Sequence, residues 1–428
     1  MFERKDIDKM IADGRLDQRI REVYGCHVRE TAGYADRFRK AAAKFEEIFP
    51  DNPSGNIGLY SAPGRTEIGG NHTDHQQGCV LSGSVSLDTI AAAAPNGTET
   101  VRFYSEGYGM TSVDLHELKP QETEKNTSAA LIRGMASLAA AKGFAVHGFD
   151  AYCLSSVLSG SGLSSSAAFE TLNGVILGNL FCSDALDAVE IAKMGQQAEN
   201  IFFGKPCGLQ DQTASSVGGL VAIDFQDPRN PKIEKIPPMA DMGYQLCIID
   251  SHSSHDDLTG EYAAIPAEMN AVAAFFGKEH LRGITADDLL VNAKAIREQC
   301  GDRALLRAFH FVRENIRAKE EASAVKAGNY PEFLRLVNES GRSSWMYLQN
   351  TAVPGSVRHQ AVNTALALCD MILDGRGAFR VHGGGFAGTI QAFVPQDMVE
   401  EFQEKIEQVL GKGSCYRLNI RPAGGTVI

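Results

Sequence analysis

No apolar run in this chain approaches the ~20 residues needed to span a bilayer, and its opening residues, Met-Phe-Glu-Arg-Lys-Asp, lack the apolar core of an export leader. No Cys-x-x-Cys pair occurs. The nine cysteines are scattered and odd in number, a usage that fits a reducing, cytoplasmic setting better than a disulfide framework. Positive charge is short as well: 41 Lys and Arg stand against 53 Asp and Glu, a net charge of −12. That balance argues against general binding to nucleic acid or to an anionic membrane, although a local site can still hold a small anion. Neither G-x-x-x-x-G-K-[ST] nor G-x-S-x-G is present, which removes the P-loop and the nucleophile elbow. There is no sequence repeat and no low-complexity tract. What remains is a chain of 428 residues and ordinary apolar content, enough for two or three domains with substantial cores.

Residues 1–50 read as a charged, mostly helical extension, with Phe38, Ala42, Phe45 and Phe49 at helical spacing. Pro50 to Gly55 breaks it. Ile57 to Ala62 is a short strand candidate, Pro63-Gly64-Arg65 a turn, and Thr66 to Gly78 a polar loop. Cys79 to Ala94 and Val101 to Tyr104 read as strands, Asn126 to Lys142 as a helix, and Val146 to Leu158 as a strand. Helices follow over Ala167 to Leu180 and Asp184 to Phe203, then a turn and strand over Ser215 to Asp224. Asp227 to Pro238, rich in proline, marks a boundary between a first domain, 51–235, and a second, 240–428. In the second, Tyr244 to Ile249 is a strand and helices dominate from Glu261 to Leu348. A helix over Val357 to Leu373, strands at Ala378–His382 and Thr389–Val394, a helix over Asp397 to Leu410 and a strand near Cys415 to Asn419 complete it. Strands and helices mix without regular βαβ alternation, so the class is α+β.

Three stretches are dense in chemistry. The first is Val157 to Glu170, in which Gly160, Ser161, Gly162, Leu163, Ser164, Ser165 and Ser166 join an apolar strand to an apolar helix. A Gly-rich turn opening a helix offers N–H groups and the helix dipole to an anion, and serine hydroxyls add phosphate or Mg²⁺ contacts. The same pattern also describes a plain helix capped by serine. The second is Gly64 to His75, a polar segment between apolar strands. His72-x-Asp74-His75 is half of a metallohydrolase ligand set, and Asn71, His72 and Asp74 equally suit polyol hydroxyls. The third is Gly383 to Gly388, which satisfies G-x-G-x-x-G but precedes a strand, so the dinucleotide context fails. Between these, Asp211 follows the breaker Pro206-Cys207-Gly208 and suits either catalysis or helix capping.

Ala62-Pro63-Gly64-Arg65 with His72-Thr73-Asp74, Gly160 to Ala167, and His382 to Gly388 together resemble the three signatures of the GHMP kinase superfamily. Gln196-Gln197-Ala198-Glu199 and Pro206 to Gln212 look like its galactokinase branch. The resemblance runs in order from about Tyr60 to the C-terminus. It implies a two-lobed fold, an N-terminal lobe like ribosomal protein S5 domain 2 and a ferredoxin-like C-terminal lobe, with ATP and a sugar meeting between them. By that resemblance residues 160–166 cradle the ATP phosphates, with Gly384 and Gly385 also on the ATP side. Ser166 and Glu199 hold Mg²⁺, and Asp211 lies by the sugar C1 hydroxyl with Arg65 beside it. Asn71, His72, Asp74, Gly208 and Tyr262 contact the sugar. The implied activity is transfer of phosphate from ATP to galactose in a monomer or small homo-oligomer.

The chain departs from the branch in places. Galactokinases typically read G-R-x-N-x-I-G-E-H-x-D-Y. Here Glu67 replaces the Asn, Gly69-Gly70-Asn71 replaces I-G-E, and His75 replaces the Tyr. The family Glu at the position of Asn71 looks toward the sugar O6, so a neutral Asn there opens the site to a C6 carboxylate. Galacturonate, or another hexose, is therefore the alternative substrate, and plant galacturonate kinases carry a similar Asp-His-Gln. A galactose and ATP sensor without activity is the other alternative. Asp250 to Met269 lacks the branch motif N-S-x-V-R-H.

Overall fold

The computed structural model describes residues 1–3, 6–157, 162–239, 242–253 and 258–428. Two sheets organise them. The first has nine strands, and its centre is the antiparallel pair Asn56–Gly69 and Cys79–Pro95. All of Asn56–Gly69 but its first residue is buried. The reason is that both faces of this sheet are covered, and the alternation of side chains sorts them. Tyr60, Ala91 and Ala93 face the helices Ser128–Ala141, Ser165–Phe181 and Ala188–Gln197, meeting Leu131, Met135, Leu172, Ile176 and Ile191. Leu59, Ile90, Ala92 and Ala94 face the opposite way. They pack on Ile20, Val23, Phe38 and Phe45 of the helices Asp17–Tyr24 and Thr31–Ile48. The N-terminal extension is thus the second cover of the first sheet.

The second sheet is antiparallel, in the order Ala378–Val381, Thr389–Pro395, Tyr244–Asp250 and Cys415–Leu418. The helices Ala361–Leu373 and Val399–Leu410 cover one face. Its other face meets the helix Tyr330–Ser343 and the first sheet through Leu246, Ile248, Phe333, Leu336, Ile68 and Leu81. The α+β class expected from the sequence is the class found.

Local differences have physical causes. Pro63-Gly64-Arg65 does not end a strand. It is a bulge, with the register shifting between Pro63 and Arg65, and pairing continues to Gly69. The bulge receives the start of the 165–181 helix: Arg65 N donates to Leu163 O at 2.9 Å, and a Cβ on Gly64 would lie 2.9 Å from that same carbonyl. Residues 210–217 form a short helix that runs into the turn expected from Ser215; its N-cap is Leu209, so Asp211 lies in the first helical turn and does not cap it. The expected single helix over 184–203 is Ala188–Gln197, capped by Asp187 Oδ1 on Glu190 N at 2.8 Å, followed by a π-helical turn, Ala198–Phe203. Lys232–Ile236 pairs with Leu220–Asp224 at the edge of the first sheet, and Gly109–Asp114 forms a hairpin with Thr100–Ser105. The C-terminal Thr426–Val427 returns to pair with Tyr60 and Ser61, so the end of the chain also belongs to the first sheet.

Candidate active site

The bulge aims Arg65 at the 210–217 helix. Its Nε donates to Asp211 Oδ1 and its Nη2 to Asp211 Oδ2, each at 2.7 Å. This is a two-pronged, charge-assisted pair. Arg65 Nη1 donates to Gly162 O, which ties the residues just ahead of the 165–181 helix to the same guanidinium. Ser164, in a left-handed backbone conformation before the helix, turns its hydroxyl away from the helix end and donates to Asp211 Oδ2 at 2.7 Å. Burial pushes the Asp211 carboxyl up, but the Arg65 charge and the hydrogen bonds of Arg65 and Ser164 outweigh it and hold the group below its ordinary value. The Asp211 side chain keeps 32% of its surface accessible, against 9% for Arg65. An ionised carboxylate therefore opens onto free space with its counter-charge behind it.

That space is a cavity of about 570 Å³, lined by Arg65, Asp211, Glu67, His72, Asp74, Gly208, Tyr262, Gly383 and Gly384 among others. Asp74 reaches it from a short helical turn, Asp74–Gln76, and packs directly on Gly208, where a Cβ would lie 2.2 Å from Asp74 Oδ2. Burial pushes the Asp74 carboxyl up to about 6, and the neighbouring Glu67 and Asp211 charges add to it against a hydrogen bond from the His75 backbone. His72 donates from Nε2 to Gly384 O at 3.0 Å. Tyr262 donates its hydroxyl to Gly385 O at 2.8 Å and meets Phe386 edge-on. Gly384 thus lines the same cavity as Asp74, and Gly385 lies just behind it as an anchor for Tyr262.

Asn71 is placed otherwise than the sequence suggested. It is fully buried and does not line the cavity. Its Nδ2 donates to Glu67 Oε1 at 2.8 Å and to Gly383 O at 2.7 Å, while its Oδ1 accepts from Asn350 Nδ2 at 2.9 Å and Ser344 Oγ at 3.1 Å. Two donors and two lone pairs are all an amide has. Asn71 is a knot joining the two sheets, and Glu67 takes the place on the wall. Glu67, Gln210, His75 and His280 also line the cavity; the sequence marked Glu67 and His75 only as departures or metal candidates and Gln210 only as part of a motif, and it gave no sign of His280. His75 Nε2 and His280 Nδ1 are buried with no hydrogen-bond partner among the described residues. Burial, reinforced by the neighbouring imidazoles, pushes His75 down to about 3, so it stays neutral. The signal was visible in the departure at Glu67 and His75, but its direction was not.

Farther along, Gln212 Nε2 donates to Glu199 Oε2 and to Glu170 Oε2, each at 3.0 Å. Lys205 lies 3.4 Å from Glu199 Oε1. Glu170 Oε1 is buried without a partner among the described residues, and burial followed by the Glu199 charge raises the Glu170 carboxyl well above its usual range. Ser165 and Ser166 open the 165–181 helix. Gly160 and Ser161 lie outside the described residues. No group of three or more His, Cys, Asp or Glu among the described residues is arranged to hold a metal, so His72, Asp74 and His75 do not form the ligand set of a metallohydrolase. All nine cysteines are free, and no described helix is long and apolar enough to cross a membrane.

Residues 43–95 match the galactokinase galactose-binding signature and residues 130–219 the N-terminal domain of GHMP kinases. A galactokinase of Actinobacillus pleuropneumoniae is 32% identical over 350 residues, 81% of this chain and 87% of that protein. One of Glaesserella parasuis serovar 5 is 31% identical over 352 residues, 81% and 88% respectively. Among solved structures, Lactococcus lactis galactokinase complexed with galactose aligns with a TM-score of 0.76 at 26% identity, covering 90% of this chain and 98% of that one. Methanococcus jannaschii mevalonate kinase shares the fold, with a TM-score of 0.62 at 14% identity, covering 86% and 99%. With Arg65, Asp74 and Asp211 on one cavity and these relatives matched along most of its length, the chain belongs to the galactokinase family of GHMP kinases, and is by that membership a sugar phosphotransferase.

Proposed function

We propose that the protein transfers the γ-phosphoryl group of ATP to the C1 hydroxyl of galactose or a closely similar hexose. The observation that carries this reading is the Arg65–Asp211 fork opening onto the cavity beside Asp74 and His72. In the reaction the sugar O1 forms a bond to phosphorus, the bond from phosphorus to the ADP oxygen breaks, and the O1 proton leaves. Asp211 accepts the hydrogen bond of that hydroxyl and aligns it. Its carboxyl, held low by Arg65, orients the hydroxyl, whose proton is released to water as the O–P bond forms. Arg65 keeps Asp211 ionised and offsets charge on the moving group. Such hydrogen-bonded acid–base assistance is worth about 10²–10⁴ in rate.

ATP binds by its phosphates at residues 160–166, and Gly162 links that loop to Arg65. Mg²⁺ suits Ser166 and Glu199: the donors are hard oxygens, and Glu170, bridged to Glu199 by Gln212, has its Oε1 buried without a partner among the described residues. When bound, the ion neutralises phosphate charge. The test is ADP release with Mg²⁺–ATP and galactose, and identification of the product by phosphorus NMR. Galactose 1-phosphate is the expected product. Absence of ADP release with every hexose, while ATP still raises the melting temperature, would overturn the reading in favour of a sensor.

A further inference from the structure

The segment after Arg65 carries a reciprocal exchange. Where galactokinases typically read Asn and, four residues on, Glu, this chain reads Glu67 and Asn71. The two side chains are hydrogen-bonded to each other at 2.8 Å. The pair of residue types is kept, and the carboxylate has changed ends.

We propose that Glu67 is a specificity-determining residue of the sugar site, its Oε2 accepting a substrate hydroxyl remote from C1, so that the site selects a neutral hexose over a uronic acid. The inference rests on the reading that this cavity binds the sugar for phosphoryl transfer.

Four observations support it. Arg65 and Glu67 lie two residues apart on one strand with unbroken register, Arg65 opposite Ser84 and Glu67 opposite Ser82. Their side chains therefore leave the same face roughly 6.7 Å apart, one at the transfer end of the cavity and one beyond it. Next, Glu67 Oε1 is saturated: it accepts from Asn71 Nδ2 and from Arg380 Nη2, both at 2.8 Å. Third, Oε2 receives among the described residues only Gln210 Nε2 at 3.3 Å, and Gln210 has a shorter contact, 2.9 Å, to Ser82 Oγ. A carboxylate oxygen with lone-pair capacity left over, on a cavity wall, is an acceptor waiting for a donor. Fourth, the carboxylate is held rigidly. Arg380 is fully buried and its Nη1 donates to Ile68 O at 2.7 Å, while the Glu67 N–H is bound by His382 Nε2 at 3.2 Å. Asn71, its hydrogen-bonding capacity exhausted, has nothing to offer a sugar. The neutral Asn in the sequence therefore does not leave the wall uncharged. A C6 carboxylate would meet Glu67 and Asp74 across a desolvated gap.

The test is a substrate-by-variant cycle on the full chain with Mg²⁺–ATP. Galactose, its 2-, 3-, 4- and 6-deoxy derivatives and galacturonate are compared in the parent, Glu67→Gln and Glu67→Asp. In the parent, one deoxy sugar loses about 10- to 100-fold in kcat/KM, the usual weight of a hydrogen bond to a charged group. Glu67→Gln lowers kcat/KM for galactose but shows no further loss with that same deoxy sugar, and galacturonate is a poor substrate of the parent. Glu67→Asp keeps the charge beside Arg380 and withdraws it from the cavity. It gives the same flattened pattern should the Gln variant fail to fold. Deoxy sugars that lose equal factors in parent and variants would overturn the proposal, as would galacturonate matching galactose. Absence of turnover of any sugar by the parent is a different result and refutes the broader reading. In that case sugar binding by calorimetry, parent against Glu67→Asp, decides this one: unchanged affinity overturns it.

Discussion

Replacing Asp74 by Asn should stabilise the protein at neutral pH and weaken its hold on the sugar. Asp74 sits against Gly208 between Glu67 and Asp211, and burial with those charges raises its carboxyl from 3.8 to about 6. A carboxyl raised on folding favours the folded state below its unfolded value near 4, and that benefit is lost as the pH rises through 6. At pH 7.5 the parent thus carries the cost of an ionised Asp74. At ~1.36 kcal/mol per unit, a shift of about two units is worth roughly 2–3 kcal/mol. Asn keeps the shape and removes the charge. Denaturant unfolding at pH 4 and pH 7.5 should show equal stability at the lower pH and a gain of up to that amount at the higher, with the change between pH 4 and 6. Galactose kcat/KM should fall at every pH above 6. A difference in stability that does not vary with pH, or a less stable variant at pH 7.5, would refute the electrostatic account of this residue.

Asp211→Asn should lower kcat by about 10²–10⁴ while equilibrium binding of ATP is retained; kcat within a few-fold of the parent would remove Asp211 from the reaction. Gly208→Ala places a Cβ 2.2 Å from Asp74 Oδ2, so it should raise KM for the sugar about 10- to 100-fold, the weight of a displaced charge-assisted hydrogen bond, with KM for ATP unchanged. Asp88→Ala tests how the N-terminal extension is fastened. Asp88, fully buried, joins Arg37 at 2.6 Å and Tyr24 of that extension to Ser61 of the first sheet and to buried Arg421 at 3.0 Å. Stranding those arginines should cost about 3–5 kcal/mol, read as a lower melting temperature and protease cleavage within residues 1–50.

How far the sequence could be read depended on how far apart the cooperating residues lie. The strand Cys79–Pro95 and the helices 165–181 and 399–410 announce themselves through local apolar pattern, and each was found within a few residues of expectation. The bulge at Pro63–Arg65 was not legible, because Pro and Gly signal a turn locally, whereas the strand is continued by its partner Cys79–Pro95 and by the Leu163 carbonyl. Asp211 illustrates a middle case. Its neighbours in sequence permit a helix cap or a catalytic carboxylate, and only the approach of Arg65, 146 positions away, decides for a charge held toward the cavity.

Asn71 is the instructive case. Read along the chain, a neutral residue where relatives carry Glu looks like a charge deleted from the sugar site. But the residues that fix its meaning, Ser344, Asn350 and Gly383, are 273 to 312 positions away, from the segment beside the second sheet. They fill the amide's acceptor and one of its donors, and the remaining donor goes to Glu67. Once the amide is full, the charge count of the wall must be taken at Glu67 instead, and the carboxylate reappears there, braced by Arg380. Viewed alone, the substitution at Asn71 admitted an acidic sugar as the alternative to galactose. On the proposal made above, the same substitution viewed with its hydrogen-bonded partner points back to a neutral sugar, because Glu67 keeps a carboxylate on the cavity wall. On that proposal the specificity of this site is set by the pair Glu67–Asn71 as a unit, and a variant of either residue alone also perturbs the hydrogen bonds that join the two sheets.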